Sequence, residues 1–428
     1  MTKAIVLFPN IKREALKRRY EASYALEEAV NLAYAINLDV THQEIIPINS
    51  PRPSTLIGQG VIENLDSIIK SQDVGLVIID ADLSPIQQRN LENAWETKVI
   101  DRTGLILEIF GERAKTKEGV LQVELASLTY QRSRLVRSWT HLERQRGGNG
   151  FMGGPGESQI EIDRRLIDER IVRLKKDLEK VRKTRALHRK SRKKAPYPVI
   201  ALVGYTNSGK STLFNALANE KVMAKDMLFA TLDPKMKLIR LESGRQVILS
   251  DTVGFISNIP TQLVAAFRAT LEEVLEADII LHVQDISIDY HEHQEKEVES
   301  VLNEIGYNIE DTTKTVHVLN KIDLVEDQES LKILEKRYKK KNGVLISALQ
   351  KKNLKNLLDK IDKVMAQKEV IYSFEVLDNA TEIVNWAYKN AQVLECSAHN
   401  NTIFMRIRLD EKGENRFNSL WKDRIKLV

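Results

Sequence analysis

One short run constrains the fold of this chain more than any other feature. Five apolar residues, Val199 to Val203, predict a buried strand and lead directly into GYTNSGKS, Gly204 to Ser211. The next residues, Thr212 to Leu217, have a helical pattern. A strand, a glycine-rich loop and a helix in this order bind phosphate, because successive backbone N–H groups and the positive end of the helix face the anion. The run predicts an α/β domain that binds a nucleoside triphosphate.

The residues of this phosphate loop have separate expected roles. We expect Lys210 to reach the β- and γ-phosphate oxygens and Ser211 to give a hydroxyl ligand to Mg²⁺. Asn207 is a candidate ligand for a monovalent ion such as K⁺, although asparagine here also suits turn geometry. The predicted nucleotide contacts of the loop are Gly204, Tyr205, Thr206, Asn207, Ser208, Gly209, Lys210, Ser211 and Thr212.

A second predicted strand, Val247 to Ser250, ends in Asp251-Thr-Val-Gly254. The Asp251 carboxylate can hold Mg²⁺ through water, and the Gly254 N–H can meet the γ-phosphate. The next residue is Phe255, where Ras-like enzymes have the glutamine that orients the attacking water. Because a phenyl ring cannot orient water, we expect slow unaided hydrolysis, with the water positioned by another group, a monovalent ion or a partner.

A further nucleotide-contacting segment is expected between the loop and this strand, in LFATLDP. Phe229 and Thr231 lie there, and the Thr231 hydroxyl is the preferred ligand for Mg²⁺ when the γ-phosphate is present, with Thr252 as its competitor. The expected catalytic residues are Lys210, Thr231 and Gly254, and the expected metal ligands are Ser211, Thr231 and Asp251.

The expected base specificity comes from two later segments. A predicted strand, Val316 to Leu319, ends in Asn320-Lys321-Ile-Asp323, and Ser347-Ala348 follows another predicted strand. An aspartate at position 323 can accept hydrogen bonds from guanine N1–H and its exocyclic amine, which adenine does not offer. The Ser347-Ala348 backbone can donate to the guanine carbonyl oxygen. Four segments in this order predict a GTPase that uses GTP, GDP and Mg²⁺.

Periodicity divides the chain into four predicted domains. Short β-branched runs alternate with helical patterns in residues 1–112, which predicts a small parallel sheet with a scaffolding or docking role. Residues 113–195 predict an antiparallel helical hairpin with a basic linker. Residues 196–367 predict a G domain with a mostly parallel sheet and helices on both faces, and residues 368–428 a small C-terminal α/β domain. The fold class is α/β.

The hairpin prediction depends on two heptad seams separated by a segment that cannot be helical. The seams are Leu121, Leu125, Leu128, Arg132, Leu135, Trp139 and Leu142, and then Ile167, Ile171, Leu174, Leu178 and Val181. Residues 146–157 between them hold six glycines and a proline, so the chain must fold back there. At ~1.5 Å per residue, the first helix extends the hairpin by roughly 30 Å.

The hairpin is also the most basic part of the chain. Residues 113–194 hold 23 Lys and Arg against 10 Asp and Glu, a surplus of 13, and residues 182–194 hold eight basic residues and no acidic one. Such a surplus favours RNA as the partner, although the 182–194 run alone fits a solvated linker equally well. The RNA contacts that we expect are Arg144, Arg146, Gly147, Gly148, Asn149, Phe151 and Met152 at the tip, and Arg189, Lys190, Arg192 and Lys193 in the basic run.

Composition excludes several classes of protein. The 428 residues contain one cysteine, Cys396, which excludes an intramolecular disulfide framework and a thiolate metal cluster. The longest apolar stretches are about five residues, whereas a membrane span needs ~20. The apolar run Ala4 to Phe8 is too short for a secretory signal. We therefore expect a cytoplasmic protein, and we expect it to be a monomer.

These segments resemble the HflX family of translation-associated GTPases. The similar runs are GYTNSGKSTLFNAL, LFATLDP and DTVGFI in the predicted G domain, and PIQQRNL, VIDRTG, VELA and GPGE before it. The resemblance is close over about residues 55–290. The sequence departs from the family pattern at Gly153, where a basic residue is usual, and at Ser208, where alanine is usual; Phe151 and Met152 also make the tip more apolar.

The resemblance implies a function on the ribosome. It implies that the chain binds the large ribosomal subunit, that the hairpin tip approaches rRNA near the peptidyl-transferase region, and that GTP drives the splitting of stalled or idle 70S ribosomes. Two alternatives stay open: an assembly GTPase of the large subunit, and a nucleotide-gated ribosome-binding protein that displaces antibiotics. The sequence contains no second phosphate loop for an ATP-driven activity in the N-terminal domain.

Overall fold

A computed structural model describes most of the chain. The described residues are 2–12, 21–145, 159–192, 197–218, 235–257, 274–309, 311–366, 369–377, 381–399, 402–421 and 425–427. Within these ranges the regular structure consists of three sheets, the shorter helices that accompany them and a pair of long helices. Among the helices that fall within them, none combines the length and the apolar character that a membrane crossing requires.

The N-terminal part forms the predicted parallel sheet. Its elements are β1 (Lys3–Ile11), α1 (Ala22–Tyr34), β2 (Asp39–Ile48), α2 (Gln59–Gln72), β3 (Leu76–Ile79), α3 (Pro85–Trp95), β4 (Lys98–Asp101) and α4 (Arg102–Arg113). The strand order is β2-β1-β3-β4, and every pairing is parallel. Ser84 and Gln87 form a capping box that begins α3, and Asp101 caps α4 by accepting from the Gly104 N–H.

Two long helices form the predicted hairpin, which we call the arm: α5 (Lys117–Gln145) and α6 (Gln159–Arg192). Ion pairs show their direction. Arg132 pairs with Asp168, whereas Glu124, earlier in α5, pairs with Arg170, later in α6. The partner residue number rises as the α5 number falls, so the helices run antiparallel.

The two predicted seams of the arm have different outcomes. The second seam is confirmed, since Ile171, Leu174 and Leu178 of α6 are buried. In the first seam, the five positions from Leu121 to Leu135 are half-buried, and among the side chains of α5 described up to Leu135 the buried ones are Gln122 and Ala126. The heptad prediction described only one of the two contacts of α5, because this helix has two neighbours. One side meets α6, while Ala126 joins the core of the N-terminal sheet.

The G domain has a six-stranded sheet. Its elements are β5 (Val199–Val203), α7 (Lys210–Ala218), β6 (Lys235–Arg240), β7 (Gln246–Asp251), β8 (Ile279–Asp285), α8 (His291–Glu304), β9 (Thr315–Asn320), α9 (Gln328–Tyr338), β10 (Val344–Leu345) and α10 (Leu354–Ala366). The order is β10-β9-β8-β5-β7-β6, and only the β6–β7 pairing is antiparallel.

Both faces of this sheet are covered, as predicted. Alternate residues of β5 enter different cores: Ala201 packs in a cluster with Val298 of α8, whereas Leu202 packs with Leu213 of α7 and Ile361 of α10. Such continuous apolar strands are typical of parallel sheets between two layers of helices. The carboxyl ends of β5, β7 and β9 therefore meet at one edge, where the predicted nucleotide segments begin.

The C-terminal part is a separate antiparallel sheet with two helices. Its elements are β11 (Glu369–Leu377), α11 (Thr381–Asn390), β12 (Gln392–His399), β13 (Thr402–Asp410), α12 (Glu411–Trp421) and β14 (Lys426–Leu427), and the strand order is β12-β13-β11-β14. Phe417 of α12 is fully buried among the rings of Tyr372, Phe374 and Trp386. Asn400 and Asn401, between β12 and β13, lie outside the described residues.

Candidate nucleotide site

The phosphate loop follows β5 and leads into α7, as the sequence predicts. Gly204 has a φ of 153° and approaches β8 so closely that a Cβ atom would collide with the Val283 carbonyl oxygen. Asn207 has a φ of 59° and is exposed. The first glycine is therefore required by close packing, and Asn207 occupies a left-handed turn position, the geometric role that the sequence left open beside ion binding.

Lys210 is buried at the start of α7, with 6% of its surface exposed. Its Nζ donates to the Tyr205 carbonyl oxygen at 2.6 Å. Burial lowers the pKa of Lys210 to about 8, against the opposing attraction of the Asp251 carboxylate. A buried ammonium group with little compensating charge would be stabilised by a phosphate, which is the ligand that this loop geometry favours.

The predicted metal ligands that can be observed lie side by side. Ser211 Oγ donates to Asp251 Oδ2 at 2.8 Å, which joins the start of α7 to the end of β7. A hydroxyl and a carboxylate at this place fit Mg²⁺, which takes oxygen ligands and keeps part of its water shell. The competing candidate Thr252 is 2% exposed and donates to the Leu202 carbonyl oxygen at 2.5 Å, so its hydroxyl is already engaged by the sheet.

The segment after β7 lies directly against the phosphate loop. A Cβ atom at Gly254 would come within 2.9 Å of Thr206 Cγ2 and 3.0 Å of Lys210 Nζ, so only glycine fits. The Phe255 N–H donates to the Gly204 carbonyl oxygen at 3.1 Å, and the Thr206 N–H donates to the Phe255 carbonyl oxygen at 2.6 Å. Phe255 itself is 3% exposed and packs in the hydrophobic core. Its ring is structural.

The segments that the sequence predicts to bind the base meet the phosphate loop through one side-chain amide. Asn320 Nδ2 donates to the Ser208 carbonyl oxygen at 2.9 Å, and Asn320 Oδ1 accepts from the Ala348 N–H at 2.9 Å. The amide that we expected to face a guanine carbonyl oxygen is therefore engaged by Asn320 in this structure. Ser347 is fully buried, and Lys321 Nζ pairs with Asp285 Oδ2 at 2.7 Å.

Several polar atoms of the site are ready for a ligand. Thr206 Oγ1, Ser208 Oγ and Asp323 Oδ1 are buried, and no hydrogen-bond partner for them exists within the described ranges. Buried polar atoms usually have partners, because leaving one unpaired is unfavourable. Two of these atoms belong to the phosphate loop and the third to the predicted base-recognition residue, so a nucleoside phosphate would reach all three regions.

Some predicted site residues cannot be placed. Phe229 and Thr231, the tip residues Arg146, Gly147, Gly148, Asn149, Phe151 and Met152, and Lys193 lie outside the described residues. The backbone of the arm helices is described at Arg144, Arg189, Lys190 and Arg192. Thr212 lies in the first turn of α7 and is half-buried. The remaining predicted residues, on the phosphate loop and after β7, β9 and β10, come together at one edge of the sheet.

One predicted contact has a side chain that points elsewhere. The Tyr205 hydroxyl donates to Glu28 Oε1 of α1 at 2.8 Å, away from the phosphate loop and toward the N-terminal sheet. Sequence reasoning assigned Tyr205 to the nucleotide and gave no role to Glu28. The run VIDRTG, residues 99–104, could have indicated this contact, because its Arg102 binds the same Glu28 carboxylate.

A buried polar group in the G domain resembles a metal site without needing a metal. His282, Glu295 and His317 bring ligand atoms within 4.8 Å of one another. The Gln284 side-chain nitrogen, however, lies 3.2 Å from Nδ1 of both histidines and can donate to each. The histidines are thereby satisfied as neutral groups. Two further histidines, at the start of α8, have contacts of their own. His291 Nδ1 lies 3.0 Å from the Ile288 carbonyl oxygen, and His293 Nε2 lies 3.6 Å from Glu297 Oε1.

Comparison with known proteins gives the family. The family described as GTP-binding GTPase N-terminal matches residues 23–111, GTP-binding GTPase Middle Region matches 113–192, and 50S ribosome-binding GTPase matches 199–321. A GTPase HflX of Magnetococcus marinus is 48% identical over 366 residues, which cover 86% of this chain and 82% of that protein. This chain belongs to the HflX family.

Further relatives agree with this assignment. The GTPase HflX of Escherichia coli is 48% identical over 299 residues, covering 70% of this chain and 69% of that protein. A crystal structure of SsGBP in complex with GDP is 29% identical, with a TM-score of 0.51, and covers 86% of this chain and 99% of that one. As an HflX protein, the chain is a GTPase that binds guanine nucleotides, and the resemblance drawn from sequence is confirmed.

Proposed function

We propose that this HflX GTPase binds the large ribosomal subunit through its arm and, in the GTP form, splits stalled or idle 70S ribosomes, with hydrolysis stimulated by the ribosome. The observation that carries the proposal is the union of a guanine-nucleotide site with a long, basic, antiparallel helical arm in one chain. The description 50S ribosome-binding GTPase, which matches the G domain, supports the choice of partner.

The construction of the arm supports a reaching role. Tyr130 Oη donates to Asp101 Oδ1 at 2.6 Å, and Arg134 binds both Asp101 and Gln88, so α5 is held against the N-terminal sheet. Arg132 and Arg170 are in turn paired with Asp168 and Glu124. These contacts stiffen the base of the arm. The RNA contacts that we propose therefore lie beyond them, at residues 144–152 and in the basic run 189–193.

We further propose how the nucleotide is held. Ser211, Asp251 and Thr231 would hold Mg²⁺, which neutralises charge on the phosphates when it is bound. Lys210 reaches the β- and γ-phosphates, Gly254 donates its N–H to the γ-phosphate, and Asp323 accepts from the guanine edge.

Asn207 is the proposed ligand of a K⁺ ion. The ion idea predicts slower hydrolysis in Na⁺ than in K⁺ at equal ionic strength, and equal rates would refute it.

The test of ribosome splitting is sedimentation of purified 70S ribosomes with protein and GTP. Intact protein is expected to convert 70S particles into subunits. A variant that lacks residues 147–156, closed by a short turn, is expected to keep its affinity for fluorescent GDP because the deletion lies outside the G domain. Its splitting and its ribosome-stimulated turnover should fall. Undiminished splitting by this variant would show that the tip is only a connector.

The same experiment separates the two alternatives. An assembly GTPase would leave 70S particles intact and would sediment with immature large subunits. A drug-displacing protein would also leave 70S particles intact, but it would release a labelled antibiotic bound at the peptidyl-transferase region.

Neutralising the basic run 182–194 should weaken ribosome binding and flatten its dependence on salt, since fewer counterions are released on binding.

A further inference from the structure

Five buried side chains join the N-terminal sheet to the nucleotide site. We call them the junction cluster: Glu28, Asp80 and Arg102 on the N-terminal side, and Tyr205 and Ser257 on the G-domain side. Each is between 3% and 8% exposed. They come from α1, from the end of β3, from the start of α4, from the phosphate loop and from the segment after β7. Positions up to 229 residues apart in the chain are brought into hydrogen-bond distance.

Arg102 lies at the centre of the cluster. Its Nη1 donates to Asp80 Oδ1 at 2.6 Å, and its Nη2 donates to Glu28 Oε1 at 3.2 Å and to the Ser257 carbonyl oxygen at 2.9 Å. Although burial disfavours the charge, the attraction of Asp80 and Glu28 raises the pKa of Arg102 above its usual range. The guanidinium fork is thus fixed in three directions, and one of them is the backbone of the G domain.

Tyr205 and Ser257 complete the contact from the other side. The Tyr205 hydroxyl donates to Glu28 Oε1 at 2.8 Å and accepts from the Ser257 N–H at 2.7 Å. Ser257 Oγ donates to Glu28 Oε2 at 2.7 Å. Burial, followed by the charge of Glu28, raises the pKa of Tyr205 well above its usual value, so the hydroxyl keeps its proton for donation. Both oxygens of Glu28 are therefore used to hold the two G-domain residues together.

These two residues flank the groups that must meet the γ-phosphate. The Tyr205 carbonyl oxygen accepts from Lys210 Nζ at 2.6 Å, and Ser257 is three residues after Gly254. The backbone pairing of Phe255 with the phosphate loop lies between them. Fixing Tyr205 and Ser257 from the N-terminal side therefore fixes both ends of the stretch that holds Gly254 against Lys210.

We propose that Glu28 and Arg102 are positioning residues for GTP hydrolysis, acting through Tyr205 and Ser257 to hold the Gly254 N–H where the γ-phosphate binds. GDP has no γ-phosphate, so the cluster favours GTP over GDP and supports turnover. The inference rests on the GTPase activity and is independent of ribosome splitting.

The junction cluster is also adjacent in the chain to the residue that holds the arm. Asp101, adjacent to Arg102, accepts from Tyr130 Oη and binds Arg134, both on α5. Consecutive residues of one chain thus hold the arm and the segment after β7. A displacement of the arm base is expected to move Arg102, and by reciprocity the presence of the γ-phosphate biases the arm.

The test uses Tyr205→Phe in the full-length protein, because this change removes only the hydroxyl. We expect the ratio of affinities for a fluorescent non-hydrolysable GTP analogue and for fluorescent GDP to fall about tenfold, the size of one charge-assisted hydrogen bond. Turnover kcat should fall by a similar factor, while GDP affinity stays within about twofold. Tyr307→Phe is the matched control: its hydroxyl is also buried, lies 3.0 Å from Thr315 Oγ1, and is outside the cluster.

A double-mutant cycle with Glu28→Gln separates positioning from general stability. If the two residues act as a unit, Glu28→Gln with Tyr205→Phe is expected to lower the GTP to GDP ratio no further than the worse single change. Thermal unfolding without nucleotide identifies any loss that comes from folding alone. An unchanged or raised GTP to GDP ratio in folded Tyr205→Phe, or additive effects in the cycle, would overturn the proposal and leave the cluster as a simple domain contact.

Discussion

The nucleotide site and the arm use polar side chains in opposite ways. At the nucleotide site, Asn320 is 2% exposed and donates to the Ser208 carbonyl oxygen, and Lys210 is 6% exposed and donates to the Tyr205 carbonyl oxygen. In the arm, the side chains of Arg132 and Asp168 are each 43% exposed, and their ion pair faces water. The first region is built from groups that cannot be left unpaired, and the second from groups that water can satisfy.

Because of this difference, a single substitution should have a larger effect in the nucleotide site than in the arm. Removing one buried partner leaves another group unsatisfied, which is expensive, whereas an exposed ion pair contributes roughly 0–1 kcal/mol. The nucleotide site should therefore be sensitive to individual residues. The arm should respond to changes of length, shape and total charge, and tolerate most individual ones.

The strongest test of the comparison is Lys210→Ala. The change removes the ammonium group that neutralises the β- and γ-phosphates, so GTP turnover is expected to fall by about 10²-fold or more. Release of phosphate measures the effect. Lys355→Ala is the matched control, since Lys355 is an exposed lysine of the same domain, paired with Glu242 at 3.4 Å. Similar losses in both variants would mean that burial does not decide sensitivity.

Asp323→Asn is expected to give the next largest effect. The amide donates where the carboxylate only accepted, so affinity for GTP should fall by about 10²-fold and xanthosine nucleotides should bind. Competition against fluorescent GDP measures this preference. Asp327→Asn is the control, because Asp327 lies four residues away and caps α9. Retention of full guanine preference by Asp323→Asn would contradict the assignment of the base pocket.

The two regions also differ in how much of them the sequence predicted. The phosphate loop, the strand ends and the two-faced sheet followed from local runs, since each motif fixes its own backbone and the parallel sheet gathers the strand ends at one edge. Asn320 could be placed in this way. Its exact role, accepting from the Ala348 N–H, could not, because it depends on the distance between two loops.

The arm and the junction cluster were less predictable for a physical reason. The heptad pattern gave two helices and their antiparallel direction, but it could not show that α5 packs against the N-terminal sheet as well as α6. The contact of Arg102 with Ser257 joins positions 155 apart, and no local pattern marks such a pair. Contacts between domains are set by the shapes of both surfaces.

His282 and His317 give a third test of buried polar groups, in which the free energy of unfolding is followed as a function of pH. Burial, more than the opposing charge of Glu295, lowers the pKa of His317 to about 4, and burial also holds the pKa of His282 well below its usual range. Between about pH 6.5 and pH 4 the unfolded chain therefore binds protons that the folded G domain does not. The free energy of unfolding should fall by ~1.4 kcal/mol per pH unit for each histidine as pH decreases through this window.

Urea unfolding at pH 7.5, 6 and 5 measures this slope, and His317→Gln supplies the comparison. Glutamine does not titrate. The free energy of unfolding of the variant should therefore depend less steeply on pH, by the contribution of one proton, even if its stability at pH 7.5 is lower. An identical slope in the variant would mean that His317 is protonated in the folded state.

The smallest expected effect belongs to the arm. Arg132→Ala removes an exposed ion pair with Asp168, so the free energy of unfolding should change by less than about 0.5 kcal/mol, and nucleotide affinity should not change. Arg134→Ala is the matched change on the same helix, because Arg134 binds Asp101, whose side chain is only 2% exposed. Loss of this charge-assisted contact should cost about 1.5–3 kcal/mol. Chemical denaturation of both variants compares an arginine in an exposed ion pair with one that binds Asp101 and Gln88 in a more buried position. Equal costs would remove the distinction between the contact that anchors α5 to the N-terminal sheet and the exposed ion pair that joins α5 to α6, and with it the reason to expect that the arm reaches its partner from a rigid base.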